Sequence, residues 1–354
     1  MRLTVTQSRE ALVTPYILPF GTITHYDAFF VVLEGNGHQG VGEITPLPGY
    51  SDETPKSVAA ALSKALGASE TIDDLWAKVD DLTEEAPFVA SGIACALETW
   101  DEGLNLAYQK PLKEPLPLIG LCQGNSLSEC REKAVKLFKE GFRTLKLKVG
   151  SAPLSEDLAK LKAVAEVTPE KGLLRLDANQ VLTWEAAIQL CQAIQGENWP
   201  VELLEQPFHE TAWNEHAQLI EQISVPLMLD ESIHTLGDIE KAKIIGAAWV
   251  KMKLCKHPGI RATVKFIQKA KEIGLGVVFG NGVQTAIGNH LEARIHQMAD
   301  LQSASEANGW FKISHPLVQS NFAVQSGQMF TGGIPSAVTN ARSAKIIYES
   351  ALAS

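Results

Sequence analysis

TLKLKV (144–149) is a short apolar run that carries two lysines with a single leucine between them. Side chains on a β-strand alternate between its two faces, so the leucines and the valine share one face while Lys146 and Lys148 share the other. Ammonium groups that point into a protein interior need compensating charge, because burying them unpaired costs a large free energy. What this strand faces therefore depends on the other strands of the chain.

Apolar runs of the same kind recur from residue 116 onward at intervals of about 25–30 residues, with amphipathic helical segments between them. Eight such runs predict an α/β fold, a (β/α)8-type, TIM-like but modified barrel. An open doubly wound sheet is the alternative, but the first run ends in GLCQGNS rather than in a glycine-rich GxGxxG turn. The runs are PLIGLC (117–122), TLKLKV (144–149), LLRLDA (173–178), VELLEQ (201–206), PLMLDE (226–231), WVKMKL (249–254), GVVFG (276–280) and LQSASE (301–306).

The first part of the chain has a different texture, with strand patterns followed by helical ones. AFFVVLE (28–34) and VGEI (41–44) are typical of strands, and helical spacing of alanine and leucine follows at 56–67 and 88–108. GNGHQG (35–40) formally matches the dinucleotide motif GxGxxG, but a strand follows it where that motif needs a helix. A hairpin turn is the better interpretation.

We therefore expect three parts in the chain. They are an N-terminal α+β capping domain (1–115), the barrel with the catalytic site (116–330) and a C-terminal segment (331–354) that packs back on the cap.

Composition excludes several classes of protein. The chain of 354 residues is 45% hydrophobic and 20% charged, as is usual for a globular protein with a large core. Its net charge of −10 gives no basic surface for nucleic acid or an anionic membrane. No apolar run approaches the roughly 20 residues that span a bilayer, and the N-terminus lacks the apolar core of a signal peptide. Five scattered cysteines argue against a disulfide framework or zinc site, so a cytoplasmic protein is expected.

The alternation of side chains places charged residues inside five successive barrel strands. On each strand the last inward residue is charged and lies at the carboxyl-terminal end, where barrel enzymes keep their chemistry. The complete inward sets, charged and uncharged, are Lys146 and Lys148 on the second strand, Arg175 and Asp177 on the third, Val201, Leu203 and Glu205 on the fourth, Met228 and Asp230 on the fifth, and Trp249, Lys251 and Lys253 on the sixth.

Three acids at neighbouring strand ends predict a metal site. Asp177, Glu205 and Asp230 offer the hard oxygen ligands that Mg²⁺ prefers, with Mn²⁺ as a substitute. A metal bound to a substrate carboxylate acidifies the proton on the α-carbon, because it stabilises the enediolate that forms. The pattern therefore predicts a small-molecule carboxylate substrate.

The lysines on opposite sides of these acids predict the proton-transfer groups. Lys148 ends the second strand and Lys253 the sixth, so that the two face each other across a barrel of eight strands. Lys146 and Lys251 lie beside them on the same faces. We expect these neighbours to lower the pKa of the base by repulsion and to bind the substrate carboxylate.

The motifs together resemble the enolase superfamily and its muconate-lactonising subgroup, over nearly the whole chain. The resemblance implies that the α+β domain closes over the barrel mouth, and that Asn179 and Glu231 lie beside the metal ligands. It assigns the ligand role to the three acids and the acid–base role to Lys148 and Lys253. The motifs are KLK (146–148), DANQ (177–180), ELLEQP (202–207), LDES (229–232) and VKMKL (250–254).

The resemblance also implies loops that set substrate specificity. Two lie in the capping domain, PFGTITHY (19–26) and PLPGYSDET (46–54), although a plain proline- and glycine-rich turn is the alternative for the second. Others follow the seventh and eighth strands. The residues expected to contact the substrate in these loops are Phe20, Thr22, Tyr50, Asn281, Gln284, Glu306 and Asn308.

Within the family the motifs favour one reaction without excluding others. GEITPLPGYSDET (42–54) and LDESI (229–233) are similar to o-succinylbenzoate synthases, which dehydrate a cyclohexadiene carboxylate. The alternatives are a racemase or epimerase of dipeptides or N-acyl amino acids, and a cycloisomerase of the same subgroup. Dipeptide epimerases usually carry Asp-x-Asp on the eighth strand, where SEANG (305–309) has Glu306 and Asn308.

Two further expectations concern assembly and the histidines. Barrels of this kind often assemble, so a homo-oligomer is expected. His290 and His296 lie six residues apart rather than four, which argues against a helical zinc pair and favours surface histidines.

Overall fold

The structure of the chain is a computed structural model. It describes residues 1–18, 21–47, 51–101, 111–124, 126–280, 283–314, 316–318, 320–332 and 344–353. The predictions for Phe20, Tyr50 and Asn281 lie outside the described residues.

The N-terminal part forms an antiparallel sheet with three helices against it. The turn between the second and third strands places Asn36 and Gly37 at φ 54° and 77°, the left-handed geometry that suits a two-residue hairpin. This confirms the hairpin prediction for GNGHQG. The first strand and the middle helix lie outside the segments that the sequence predicted. The elements are β1 (Arg2–Leu18), β2 (Gly21–Gly35), β3 (His38–Ile44), α1 (Pro55–Gly67), α2 (Ile72–Glu85) and α3 (Pro87–Trp100).

The second part contains the predicted parallel barrel. Seven strands form one sheet in sequential order, and each hydrogen-bonds to the next in parallel register. The α/β barrel with an α+β cap is therefore confirmed. The strands are β5 (Ile119–Leu121), β6 (Thr144–Lys148), β7 (Leu173–Asp177), β8 (Val201–Glu205), β9 (Leu227–Leu229), β10 (Trp249–Met252) and β11 (Gly276–Phe279).

Helices alternate with these strands on the outside of the sheet. Several begin at a hydroxyl cap that accepts a hydrogen bond from the first turn: Ser126, Thr183, Thr235 and Thr285. The caps fix where each loop at the catalytic end gives way to its helix. The helices are α4 (Leu127–Lys139), α5 (Leu154–Ala165), α6 (Trp184–Gly196), α7 (Trp213–Ile220), α8 (Leu236–Ile244), α9 (Ile260–Glu272) and α10 (Ala286–Met298).

The eighth predicted strand is absent as a regular element. Residues 301–306 form only an isolated bridge, between Leu118 and Ser305. They still close the barrel, because Ile119 N donates to Ser305 O (2.9 Å) and Glu306 N donates to Phe279 O (3.1 Å). The segment thus joins β5 to β11 without the alternation of a strand.

The two faces of the barrel sheet have separate cores. Leu203, Met228 and Val278 form a small cluster with Trp249, whereas the outward leucines and valines belong to one large cluster with the helices. This confirms the inward orientation read from the sequence. Val201 is the exception: it packs against the large outer cluster, because the register between β7 and β8 shifts after Leu174.

The remaining strands tie the chain ends together. β4 (Leu116–Pro117) pairs with β13 (Gln328–Thr331), which forms a hairpin with β12 (Phe322–Gln325). The last strand, β14 (Lys345–Ala351), pairs antiparallel with β1, so the C-terminal residues complete the sheet of the cap.

Two carboxylates of the cap bind the N-termini of barrel helices. Glu43 on β3 accepts hydrogen bonds from Thr285 N (2.6 Å) and Gly288 N (2.8 Å), at the start of α10. Glu98 on α3 accepts from Ile260 N (2.5 Å) and Arg261 N (3.2 Å), at the start of α9. Carboxylates are stabilised there by free N–H groups and by the helix dipole, so these contacts hold the cap on the barrel.

Three further sequence expectations have structural outcomes. All five cysteines are free thiols. His290 and His296 are buried, at 0% and 4% exposure, so the expectation of surface histidines is wrong. His290 Nδ1 contacts Thr331 Oγ1 (2.9 Å) and His296 Nε2 contacts Ser303 O (2.9 Å), so both fill polar positions within the core.

Every helix in the described part of the chain is too short or too polar to cross a membrane.

Candidate active site

A cavity of about 670 Å³ opens at the carboxyl ends of the barrel strands. Lys148, Asp177 and Lys253 line it from the strand ends, and Thr45 and Leu47 line it from the cap. Because the strands are parallel, their carboxyl ends meet at one edge and side chains from different strands converge there. The cavity therefore lies where the sequence predicted the site.

The two lysines of β6 point toward the carboxylates of neighbouring strands. Lys148 Nζ lies 2.8 Å from Asp177 Oδ2 and also donates to Asn179 Oδ1. Lys146 Nζ lies 2.9 Å from Asp177 Oδ2 and 2.8 Å from Glu205 Oε2. Only 5% of the Lys146 side chain is exposed, against 28% for Lys148. Lys148 is therefore the more accessible lysine of this strand.

The lysines of the β10 region approach the same acids from the other side. Lys253 Nζ lies 2.7 Å from Asp230 Oδ1 and 2.8 Å from Oδ2. Lys251 Nζ lies 2.8 Å from Glu205 Oε1 and 3.3 Å from Asp230 Oδ2. Since β6 and β10 are separated by three strands in the sheet, the structure places a pair of lysines on either side of the acids.

Glu306 joins the two inner lysines and is part of this cluster. Its Oε1 lies 2.8 Å from Lys146 Nζ and its Oε2 lies 3.0 Å from Lys251 Nζ. It was predicted as a specificity residue, but both carboxylate oxygens are occupied by lysine in this structure. The cavity wall includes it all the same.

The residues beside the acids are held by tight turns. Asn179 has φ 41° and Gln206 has φ 37°, a strained geometry for residues with side chains. Asn179 Nδ2 donates to Glu231 Oε1 (3.3 Å), so the two residues predicted beside the ligands contact each other. The Gln206 amide accepts from Asp230 N (2.8 Å) and donates to Ser232 Oγ (2.8 Å).

The described specificity residues differ in position. Gln284 and Asn308 are buried and line the cavity, and Asn308 Oδ1 accepts no hydrogen bond from a described residue. Thr22 is exposed on β2 and is not among the described residues that line the cavity.

Family models match most of the chain. The model described as Enolase C-terminal domain-like matches residues 129–333, more than half of the chain, and the model described as MenC, N-terminal domain matches residues 12–100. This chain belongs to the enolase superfamily. The family resemblance of the sequence motifs is confirmed.

Individual relatives within the superfamily carry different activities in their names. The chain is 27% identical to an aromatic dipeptide epimerase of Herpetosiphon aurantiacus, over 81% of this chain and 85% of the relative. It is 22% identical to an o-succinylbenzoate synthase of Desulfotalea psychrophila, over 89% of this chain and 90% of the relative. The dipeptide epimerase structure from Cytophaga hutchinsonii, complexed with Mg and D-Ala-L-Val, superposes with a TM-score of 0.84 at 21% identity, over 98% and 99% of the two chains.

The superfamily sets the type of chemistry. The chain is an enzyme, a lyase or isomerase of the enolase superfamily, and proton abstraction is the chemistry that its relatives support. The relatives include epimerases, a cycloisomerase and a synthase, so the particular reaction is proposed below.

The acids fit Mg²⁺ in their chemistry. Within the described ranges, no three histidine, cysteine, aspartate or glutamate side chains are arranged as a metal-binding group. Asp177, Glu205 and Asp230 are turned onto lysines instead. They nevertheless give three hard oxygen donors from adjacent strand ends, and the buried Glu231 Oε2 accepts no hydrogen bond from a described residue. Their ligand role, and Mn²⁺ as a substitute, stay predictions.

The electrostatics of the lysines differ from the sequence expectation. Burial alone would lower the pKa of Lys253, but Asp230 outweighs burial and the pKa of this ammonium is raised. Burial would likewise lower the pKa of Lys146, and Asp177, Glu205 and Glu306 raise it above its usual range. We expected a lowered pKa for the base, and this direction is wrong for Lys253 in this structure. The reason is direct contact with carboxylates, which sequence spacing did not show.

Two residues of the site were not predicted from the sequence. Gln206 follows a ligand candidate directly, in ELLEQP, and holds the next strand end in place. Lys256 lines the cavity from the 3-10 helix Leu254–Lys256 after β10. The signal for Lys256 was its position three residues after Lys253, which places it on the same loop.

Proposed function

We propose that this enzyme is an o-succinylbenzoate synthase-type dehydratase. It would remove the α-proton of a cyclohexadiene carboxylate with Mg²⁺ bound and then expel hydroxide from the same face. The pair Lys148 and Lys253, each in contact with a different member of the acid set Asp177, Glu205 and Asp230, supports abstraction of the α-proton. The observation that favours dehydration is the match of residues 12–100 to the MenC N-terminal domain, together with an o-succinylbenzoate synthase that matches 89% of this chain.

The two lysines differ in a way that suggests their roles. Lys253 is held by both oxygens of Asp230, at 2.7 and 2.8 Å, which keeps it as an ammonium facing the charge that forms on the substrate. Lys148 has the more exposed side chain, so we assign it the role of base. Its Nζ takes the α-proton and returns a proton to the leaving hydroxide, so that water departs and the catalyst is restored.

Asp177, Glu205 and Asp230 would hold the metal. Bound Mg²⁺ would supply positive charge to the substrate carboxylate and so acidify the neighbouring C–H bond. Asn179 and Glu231 would orient the ligands, because they hydrogen-bond to each other and Asn179 N donates to Asp177 Oδ1 (3.0 Å). The cap, which we propose to be residues 1–115 joined by the C-terminal strand, would exclude water from the cavity.

The proposal is tested with the hydrated precursor of o-succinylbenzoate, a succinyl hydroxycyclohexadiene carboxylate. Purified protein with Mg²⁺ should convert it to the aromatic product, seen as a new ultraviolet absorbance, and chelation should stop the reaction. If the Mg²⁺-loaded protein leaves the precursor unchanged, the dehydratase assignment is wrong.

A racemase or epimerase is the second candidate, because lysines on opposite sides of one carbon can remove and return a proton on either face. The dipeptide epimerases among the relatives favour it. Glu306 and Asn308 in place of two aspartates count against a dipeptide substrate. Incubation with a dipeptide library in D2O, followed by mass spectrometry, distinguishes the two candidates: deuterium at an α-carbon supports the epimerase.

A further inference from the structure

Lys256 is a cationic side chain of the cavity that the proposed reaction does not use. It ends the 3-10 helix after β10, and 15% of its side chain is exposed. Its Nζ donates to two main-chain carbonyls, Asp230 O (3.2 Å) and Ile233 O (3.3 Å). It is therefore held in place by the loop after β9, with its amine at the cavity wall.

The charge of Lys256 is poorly compensated by the protein. Among the described residues, its one ion pair within 4.0 Å is with Asp230 Oδ1, at 4.0 Å. That oxygen already contacts Lys253 Nζ at 2.7 Å. An ammonium carries three N–H donors, and the two carbonyls account for two of them. An anionic group that enters the cavity would therefore stabilise the buried and weakly paired ammonium of Lys256.

We propose that Lys256 binds a second anionic group of the substrate, so that the enzyme selects dicarboxylates. The inference rests on the proposed function, in which the first carboxylate lies at the acids. Lys253 and Lys256 both approach Asp230, so one small molecule can reach the acids and Lys256 together. His234 and Phe266 line the same cavity, so its wall offers both polar and apolar surface to the rest of the molecule.

Binding of o-succinylbenzoate and of its succinyl-chain methyl ester tests this directly. The two ligands have nearly the same shape, but the ester lacks the second negative charge. Isothermal titration of the Mg²⁺-loaded protein should show the dicarboxylate binding about tenfold more tightly or better, the value of a charge-assisted hydrogen bond. Equal affinity for the two ligands would overturn the proposal.

Variants then assign the preference to this side chain. Lys256→Met should weaken the dicarboxylate about tenfold and the ester less than twofold, and Lys256→Arg should keep the preference. Lys256→Gln is the second neutral variant if Met does not fold. Lys265→Met, at an exposed lysine on α9, is the control and should match wild type. Equal weakening of both ligands would show that Lys256 only supports the loop, and would also overturn the proposal.

These outcomes are separate from those of the proposed function. A dicarboxylate preference that depends on Lys256, in a protein that leaves the cyclohexadiene precursor unchanged, supports the anion site and refutes the dehydratase. Turnover of the precursor with no loss in Lys256→Met supports the dehydratase and refutes the anion site.

Discussion

At the scale of single residues, the two outer lysines carry the strongest test of the chemistry. Lys148→Ala and Lys253→Ala should each lower turnover at least about a hundredfold, because Lys148 moves the proton and Lys253 faces the negative charge that forms on the substrate. Exchange of the substrate α-proton with D2O, followed by NMR, measures the loss. Circular dichroism should show an unchanged fold.

The control for this pair is another lysine to alanine change outside the cavity. Lys265→Ala removes an exposed amine from α9 and should leave exchange unchanged. Wild-type exchange in both active-site variants would show that the proton is moved by another group.

Glu306 tests the stability of the inner lysine pair. Glu306→Gln removes one of the two carboxylates that Lys146 and Lys251 share, the other being Glu205, and both lysines are nearly fully buried. We expect a loss of about 3 kcal/mol in the free energy of unfolding, since removing one partner of a buried ion cluster leaves its positive charges less compensated. Urea unfolding of the metal-free protein measures it.

The matched control makes the same change in an exposed ion pair. Glu166 Oε2 lies 2.9 Å from Arg131 Nη1 with about half of each side chain exposed. Glu166→Gln should cost less than about 1 kcal/mol. Equal costs for the two variants would mean that Glu306 is not part of a tightly held cluster.

The alternation of strand side chains explains what the sequence could predict of the site. Lys148, Asp177 and Glu205 end regular strands, so their orientation followed from counting residues. Lys253 lies one residue past the end of β10 and still points inward. The role of Glu306 could not be predicted in this way, because residues 301–306 lack the regular geometry on which the count depends.

At the scale of elements, the cap depends on backbone contact between β3 and α3. A Cβ at Gly42 would lie 1.9 Å from Gly92 O, so the strand and helix touch main chain to main chain. Gly42→Ala should destabilise the protein by about 1–3 kcal/mol, because the elements must move apart. Thermal and urea unfolding measure the change.

Gly67 provides the control within the same domain. It lies exposed in the last turn of α1, and a Cβ there meets nothing within 4 Å. Gly67→Ala should be neutral or stabilise the protein by up to about 1 kcal/mol. A Gly42 variant as stable as this control would show that the close backbone contact between β3 and α3 does not contribute to stability.

Some elements could be predicted from the sequence and others could not. The barrel could be predicted because its strands are short apolar runs and its helices are amphipathic, so each kind of element has a clear sequence pattern. β1 and α2 were not predicted. In β1 polar and charged residues alternate with few large apolar ones, and α2 buries only Leu75 and Val79. Their place in the fold comes from partners distant in the sequence.

At the scale of the whole molecule, Glu43 couples the seating of the cap on the barrel to pH. It is buried at the start of α10, where Thr285 and Gly288 donate to it. Burial raises its pKa to about 7, against the lowering effect of these hydrogen bonds, and Glu10 adds to the rise. The folded protein therefore binds a proton there that the unfolded chain releases near pH 4.5.

The sign of the pH dependence follows from that difference. Where the folded state binds more protons, the free energy of unfolding falls as pH rises. The contribution of Glu43 is complete below pH 4.5 and is lost as pH rises to about 7. The shift corresponds to about 3 kcal/mol at roughly 1.4 kcal/mol per pH unit.

Glu43→Gln should remove this dependence. The variant cannot ionise, so the difference in unfolding free energy between wild type and variant should change by about 3 kcal/mol between pH 4.5 and pH 8, in favour of the variant at the higher pH. Urea unfolding across that range measures the change. Glu34→Gln on β2, where the carboxylate accepts from the Gln39 side chain (3.1 Å) at a partly exposed position, is the control and should keep the wild-type slope. A Glu43→Gln profile parallel to wild type would mean that Glu43 is ionised in the folded protein throughout this range, and that its hydrogen bonds to α10 outweigh its burial.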